Sequence, residues 1–153
     1  MKKLFYLFLL LPFTLMVSCS KDEFSPVDMN LTLSGVTQSN DSFYTVAGED
    51  VTIDNVTVKS IDGKNSGVTN LIFYFDGVPL IGTPGNPFMG TFSTENIPAG
   101  TYTIGITGNL LQVDSSIKDF IVEYPLTIVE KSEDLPSGAP EIGTYTQTIR
   151  INK

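Results

Sequence analysis

Leu71-Ile72-Phe73-Tyr74-Phe75-Asp76-Gly77-Val78-Pro79-Leu80 decides the structural class of this chain. Five large apolar or aromatic residues run without a polar break, and they are the side chains that suit a pleated surface. Asp76-Gly77 then supplies a two-residue turn, because glycine takes at no steric cost the positive φ that a tight hairpin demands. The chain returns over Val78 to Ile81. An apolar run without alternation predicts a central strand, covered on both faces.

Period-two patterns extend from this hairpin in both directions. Downstream, Pro84-Gly85-Asn86-Pro87 is a loop, Phe88, Gly90 and Phe92 form one face of the next strand, and Pro98-Ala99-Gly100 turns again. Tyr102, Ile104 and Ile106 then point inward, against Thr101 and Thr103. Phe120, Val122, Tyr124, Leu126 and Ile128 alternate through a long strand. Pro125, on the opposite parity and with no N–H to donate, puts that strand at a sheet edge, at least there. Upstream, Met29, Leu31 and Leu33 mark a half-buried first strand, Phe43 to Val46 a short second one, and Gly48 to Asp50 a turn. Val51 and Ile53 share one parity and Val56 and Val58 the other, so both pairs reach the core only if a bulge lies near Asp54-Asn55. The expected core is Phe73, Phe75, Phe92, Tyr102, Ile104 and Val122. Glu130 to Gly143, with two Pro and two Gly, is a linker, and Thr144 to Ile151 is one further strand whose partner stays open.

Composition agrees with these patterns. In 153 residues, 41% are hydrophobic and 17% charged, the balance of one folding domain. No stretch after residue 20 repeats apolar residues at helical spacing, so the class is all-β. The chain has no His and one Cys, which removes the commonest general base, the commonest transition-metal ligand and any internal disulfide. A Ser-His-Asp site is impossible, and no spacing singles out a carboxylate pair among seventeen acids. The sequence therefore points away from catalysis, and no cofactor is expected. Asp62-Gly63-Lys64-Asn65-Ser66-Gly67 offers oxygen donors but lacks the alternating acids and closing Glu of a calcium loop, so it reads as a solvated turn and no metal is assigned.

Residues 1–19 set the address. Lys2 and Lys3 precede an apolar run from Leu4 to Val17, shorter than the roughly 20 residues that span a bilayer, which favours a signal peptide over a permanent span. The run ends in Leu15-Met16-Val17-Ser18-Cys19, with a small residue before the only cysteine. This ending resembles the lipobox of bacterial lipoproteins, with Met16 where that pattern more often has Leu. The resemblance implies cleavage before Cys19 and acylation of Cys19. The alternative is a plain secretory signal with an unpaired thiol. Ser20-Lys21-Asp22-Glu23 is similar to the acidic signal that follows the lipidated cysteine in Gram-negative groups displaying lipoproteins on the outer membrane. All seventeen acids follow Cys19 and two of the nine bases precede it, so the mature chain carries −10. Such a surface argues against nucleic acid as a partner and favours solubility.

Leu71 to Thr83, then Phe88 to Phe92, then Ile97-Pro98-Ala99-Gly100-Thr101-Tyr102-Thr103-Ile104 resemble bacterial immunoglobulin-like modules, which carry a "strand, Asp-Gly, strand, Gly-Thr" hairpin and a "Pro-Ala-Gly-Thr-Tyr" turn. The resemblance covers about residues 43–129 and implies an immunoglobulin-like antiparallel β-sandwich of about seven to nine strands. It leaves Tyr102 as either a tyrosine corner or an ordinary core side chain. The expected organisation is a signal peptide over 1–18, a lipidated Cys19 with a flexible tether over 19–27, the sandwich over 28–129, and a linker with a C-terminal strand over 130–153.

The expected function is that of a non-catalytic, monomeric surface lipoprotein, held in an outer membrane through acyl chains on Cys19 and recognising a glycan or a protein. A second expectation is a pilus or surface-layer component assembling by strand addition through Thr144 to Ile151; a third, weaker one is an accessory hydrolase. Gly108 to Lys118 is expected to be an end loop, with Leu110, Leu111, Val113 and Asp114 either binding a ligand or packing on the domain's own end. Phe43, Tyr44 and Tyr145 either stack on sugars or fill core and edge.

Overall fold

A computed structural model of the protein describes residues 23–80, 89–115 and 117–152. The proposed signal peptide, Cys19, the loop around Pro84 and the strand position Phe88 lie outside the described residues. The chain is all-β. Its strands are β1 (Val27–Ser39), β2 (Ser42–Val46), β3 (Asp50–Ser60), β4 (Ser66–Phe75), β5 (Val78–Leu80), β6 (Gly90–Ser93), β7 (Gly100–Gln112), β8 (Lys118–Val129) and β9 (Gly143–Ile151). A single 3₁₀ turn, Ser132–Asp134, is the only helical element among the described residues.

The strands form one sheet in the order β5-β4-β7-β8-β2-β1-β3-β6, with β9 added beside β1. Every pairing is antiparallel except β2 with β8. β1 belongs to both halves. Val27 to Ser34 lies between β3 and β9, whereas Thr37 to Ser39 pairs with β2. The passage from one half to the other is made at Gly35, with φ at +79° and its carbonyl accepting from Thr45 Oγ1 at 2.8 Å. Only glycine takes that backbone conformation without strain.

The two halves share one core. Val27, Met29, Leu31 and Leu33 of β1 alternate inward and are fully buried, as are Ile104, Ile106 and Leu110 of β7 and Tyr124 and Leu126 of β8. Each such side chain contributes roughly 1.5–3 kcal/mol by leaving water. Phe75, near one end of the strand order, meets Phe92 of β6, at the other end, with ring centroids 4.9 Å apart, and Tyr102 at 5.1 Å. The sheet therefore curls until its ends approach over the core. Of the expected core, Phe73, Phe92, Ile104 and Val122 are buried, and Phe75 and Tyr102 are half-buried.

The bulge demanded by side-chain parity forms. Thr32 faces Asn55 and Leu33 faces Ile53, leaving Asp54 as the extra residue, and Val51, Ile53 and Val56 are all buried. The Ser34 hydroxyl donates to the Asp54 carboxylate and ties the bulge to β1. The Asp76-Gly77 turn also forms, with φ of +46° and +80° at its two residues. Pro125 costs no ladder bond, because β2 pairs with β8 only from Leu126 onward.

Four expectations are corrected. Leu71 to Phe75 is not covered on both faces: among the described residues only β5 lies beyond β4, no strand packs over its outer face, and Ile72 is exposed. Gly108 to Lys118 is not all loop, since β7 continues to Gln112 and β8 begins at Lys118. Gly108 sits opposite a second bulge, at Asn70-Leu71 of β4, where a β-carbon would meet Leu71 Cδ2 at 2.8 Å and the Thr69 carbonyl oxygen at 2.9 Å. The strand over Thr144 to Ile151 is no appendage to a domain ending at residue 129. As β9 it pairs with β1 from Val27–Ile151 to Val36–Gly143, satisfying an edge that would otherwise leave its N–H and C=O groups bare. Nor is the segment from 19 to 27 flexible throughout, because Phe24 is buried and Val27 already starts β1.

Candidate functional site

Two surfaces remain once the core is accounted for. The first is the end of the sheet where β1 begins. Gln112, buried at the last position of β7, donates through Nε2 to Ser66 Oγ at 3.2 Å, Ser60 Oγ at 3.3 Å and the Ser25 carbonyl at 3.4 Å. Its Oε1 accepts from the Ser25 N–H at 2.8 Å and from Ser115 Oγ at 3.3 Å. A buried amide with every group satisfied is a clamp, not a waiting ligand site. The Asp62 carboxylate accepts from Ser25 Oγ, Ser60 Oγ and the Lys64 N–H, and these bonds hold it down at about 2. They also engage the lead acid of the calcium-like stretch. Among the described residues, no group of three His, Cys, Asp or Glu side chains is placed to hold a metal.

The four expected ligand-binding residues separate here. Leu110 points into the core and is fully buried, so it reaches no ligand; Leu111 and Val113 are exposed, and Asp114 is exposed at φ +63°. A shallow hollow of about 370 Å³ lies beside them, lined by Asn65, Ser66, Gly67, Leu111, Gln112 and Val113.

The second surface is the outer face of β4, β7 and β8. Cross-strand partners place Pro79, Tyr74, Gly105 and Glu123 in one row, and Ile72, Thr107 and Ile121 in the next. Ile72 is 46% and Ile121 70% exposed, unusual for large aliphatic residues in the middle of strands. The absent side chain at Gly105 opens a hollow of about 210 Å³, lined by Tyr74, Gly77, Thr103, Gly105, Ile121 and Glu123. Beyond the Ile72–Thr107–Ile121 row a polar ladder crosses the same face: Asn70 Nδ2 donates to Asn109 Oδ1 at 2.7 Å, and Asn109 Nδ2 to Asp119 Oδ1 at 2.5 Å. The expectation of a doubly covered strand concealed this face. The one signal that could have found it is Ile121, which the inward parity of Phe120 and Val122 leaves on the outer face.

Of the aromatics weighed for stacking, Phe43 is buried, Tyr44 is half-buried on β2, and Tyr145 packs against the core while donating its hydroxyl to the Glu141 carbonyl at 2.5 Å. Asp28 and Arg150 form a two-bond pair at 2.8 and 3.1 Å across β1 and β9; it lowers the acid's pKa and raises the base's, and both lie on the surface. These arrangements hold and orient; none of them poises a nucleophile beside a base. In comparisons with known proteins, the chain matches no family model and no curated protein.

Proposed function

We propose that the protein is a non-catalytic binding module of a bacterial cell surface, held in an outer membrane by acyl chains on Cys19. Its β-sheet is then an immunoglobulin-like sandwich, the two halves joined through β1 being the two layers. The support for that fold reading lies in the parallel pairing of β2 with β8, in the antiparallel order β4-β7-β8, and in Tyr102. The Tyr102 hydroxyl donates to the Pro98 carbonyl, four residues back, at 2.8 Å, which is the bond of a tyrosine corner.

The observation that carries the function is the hollow over Gly105. At about 210 Å³ it is smaller than the roughly 300–1,000 Å³ of ordinary small-molecule pockets, so it suits one ring or one side chain of a larger ligand. A tyrosine ring with a carboxylate and a hydroxyl at the rim favours a sugar ring, whose apolar face stacks while its hydroxyls bond. Assembly by strand addition has less behind it, because β9 is already paired with β1 in the same chain. The mature protein should be screened against immobilised glycans beside a Tyr74→Ala/Glu123→Gln variant. Retention lost in the variant supports the reading; retention that is unchanged, or absent in both, removes it, and capture of a protein alone would assign the face to a protein ligand instead.

A further inference from the structure

Four exposed large apolar side chains gather at one end of the sheet: Ile61 at 53%, Leu111 at 38%, Val113 at 52% and Ile117 at 67%. Two of their backbones are fixed by turns at this end, one of them by the chain's entry into the fold. The Ile61 N–H donates to the Pro26 carbonyl at 3.2 Å and the Val113 N–H to the Asn65 carbonyl at 3.1 Å. Lys118 Nζ lies 5.5 Å from the centroid of the Phe24 ring, and Gln112 holds Ser25. This end carries charges of both signs, Asp62 and Asp114 with Lys64 and Lys118, so its attraction for a surface is apolar before it is electrostatic.

The chain enters the fold at this same end, five residues after Cys19 in sequence. From Phe24, fixed in the fold, to Cys19 is five residues, at most about 18 Å of fully extended chain. The far end of β8, a strand of 12 residues, is roughly 36 Å from Lys118 at ~3.3 Å per residue. An anchor at Cys19 therefore holds the apolar end within about 18 Å of the bilayer surface, whereas the other end is free to stand away from it.

We propose that Ile61, Leu111, Val113 and Ile117 rest in the headgroup layer of the bilayer that holds the anchor, so that the domain stands on the membrane in one orientation, with the hollow over Gly105 on its flank. This rests on the reading of Cys19 as lipidated. The occupant is lipid because a tether of at most about 18 Å keeps this apolar end beside the bilayer at high local concentration.

The test uses the mature acylated protein with one added cysteine, Ile117→Cys or, at the opposite end, Glu95→Cys, each labelled with an environment-sensitive fluorophore. Acylated Cys19 carries no free thiol to compete for the label. In phosphatidylethanolamine/phosphatidylglycerol vesicles doped with brominated lipid, the label at 117 should shift to the blue and be quenched several-fold more than that at 95, with little change in high salt. Val113→Cys gives the same reading should Ile117→Cys fail to fold. Equal quenching at the two ends, with Cys19 shown by mass to be acylated, overturns the docking alone. An unacylated Cys19 overturns the anchor and the docking together.

Discussion

A β-carbon placed on Gly35 would lie 2.1 Å from the carbonyl oxygen of Asp50, at a residue whose φ is +79°. The contact falls where β1 leaves one half of the sheet for the other, against backbone that cannot give way. Gly35→Ala should therefore combine a backbone penalty of about 1–2 kcal/mol with a clash, for a loss well above 2 kcal/mol. Gly48, at φ +92° with nothing near its missing side chain, is the control. Gly48→Ala should show the backbone penalty alone, and urea midpoints of the two variants separate the contributions.

Leu110 and Leu111 are neighbours with opposite fates. Leu110→Ala should cost about 2–5 kcal/mol, the transfer and cavity loss of a buried leucine, whereas Leu111→Ala should stay within about 0.5 kcal/mol of wild type. Thermal and urea unfolding of the two single variants would check this, and equal losses would place β7 in the wrong register.

Three tyrosine hydroxyls differ in sign. Tyr102 and Tyr145 each donate to a carbonyl four residues back, so Tyr102→Phe and Tyr145→Phe should each lose about 0.5–1.5 kcal/mol. The Tyr124 hydroxyl is buried without a partner among the described residues, and burial pushes its pKa well above the ordinary tyrosine value. Tyr124→Phe should be neutral or stabilising, since it removes a desolvated group that bonds to nothing. Calorimetric melting of the three variants gives the comparison.

Asp62 predicts an acid-sensitive entry clamp. Its hydrogen bonds lower the folded pKa from 3.8 to about 2, so its contribution is present above the unfolded value and is lost as pH falls from about 4 towards 2. Asp62→Asn should lower the urea midpoint at neutral pH, and the gap to wild type should close over that window. A gap independent of pH would mean that the carboxylate charge plays no part.

Period-two parity made the strands readable, and it located the bulge at Asp54-Asn55 because two apolar pairs on opposite parity admit few other solutions. Gly108 misled for a physical reason. It resembles a loop residue, but its lack of a side chain answers a bulge on a different strand, at Asn70-Leu71, and no local pattern records that. The exposed face at Ile72 and Ile121 was hidden similarly, since an apolar run looks the same whether a layer or a ligand covers it. The partner of β9 was out of reach because pairing between distant strands leaves no periodic trace. A hint was present nonetheless: Gly-Thr-Tyr-Thr occurs at 100–103 and again at 143–146, and both tyrosines make the same backward bond.

The pairing of β1 with β9 runs from Val27–Ile151 to Ser34–Thr144 and, past the unpaired Gly35, to Val36–Gly143. These contacts span more than a hundred residues, and that long loop must close before any of those bonds forms. A chain emerging N-terminus first exposes β1 long before β9 arrives, with β2 and β3 available to pair meanwhile. Completion of this pairing thus waits for Gly143 to Ile151, and the flank of β1 that β9 covers stays open, its N–H and C=O groups bare, until those residues arrive.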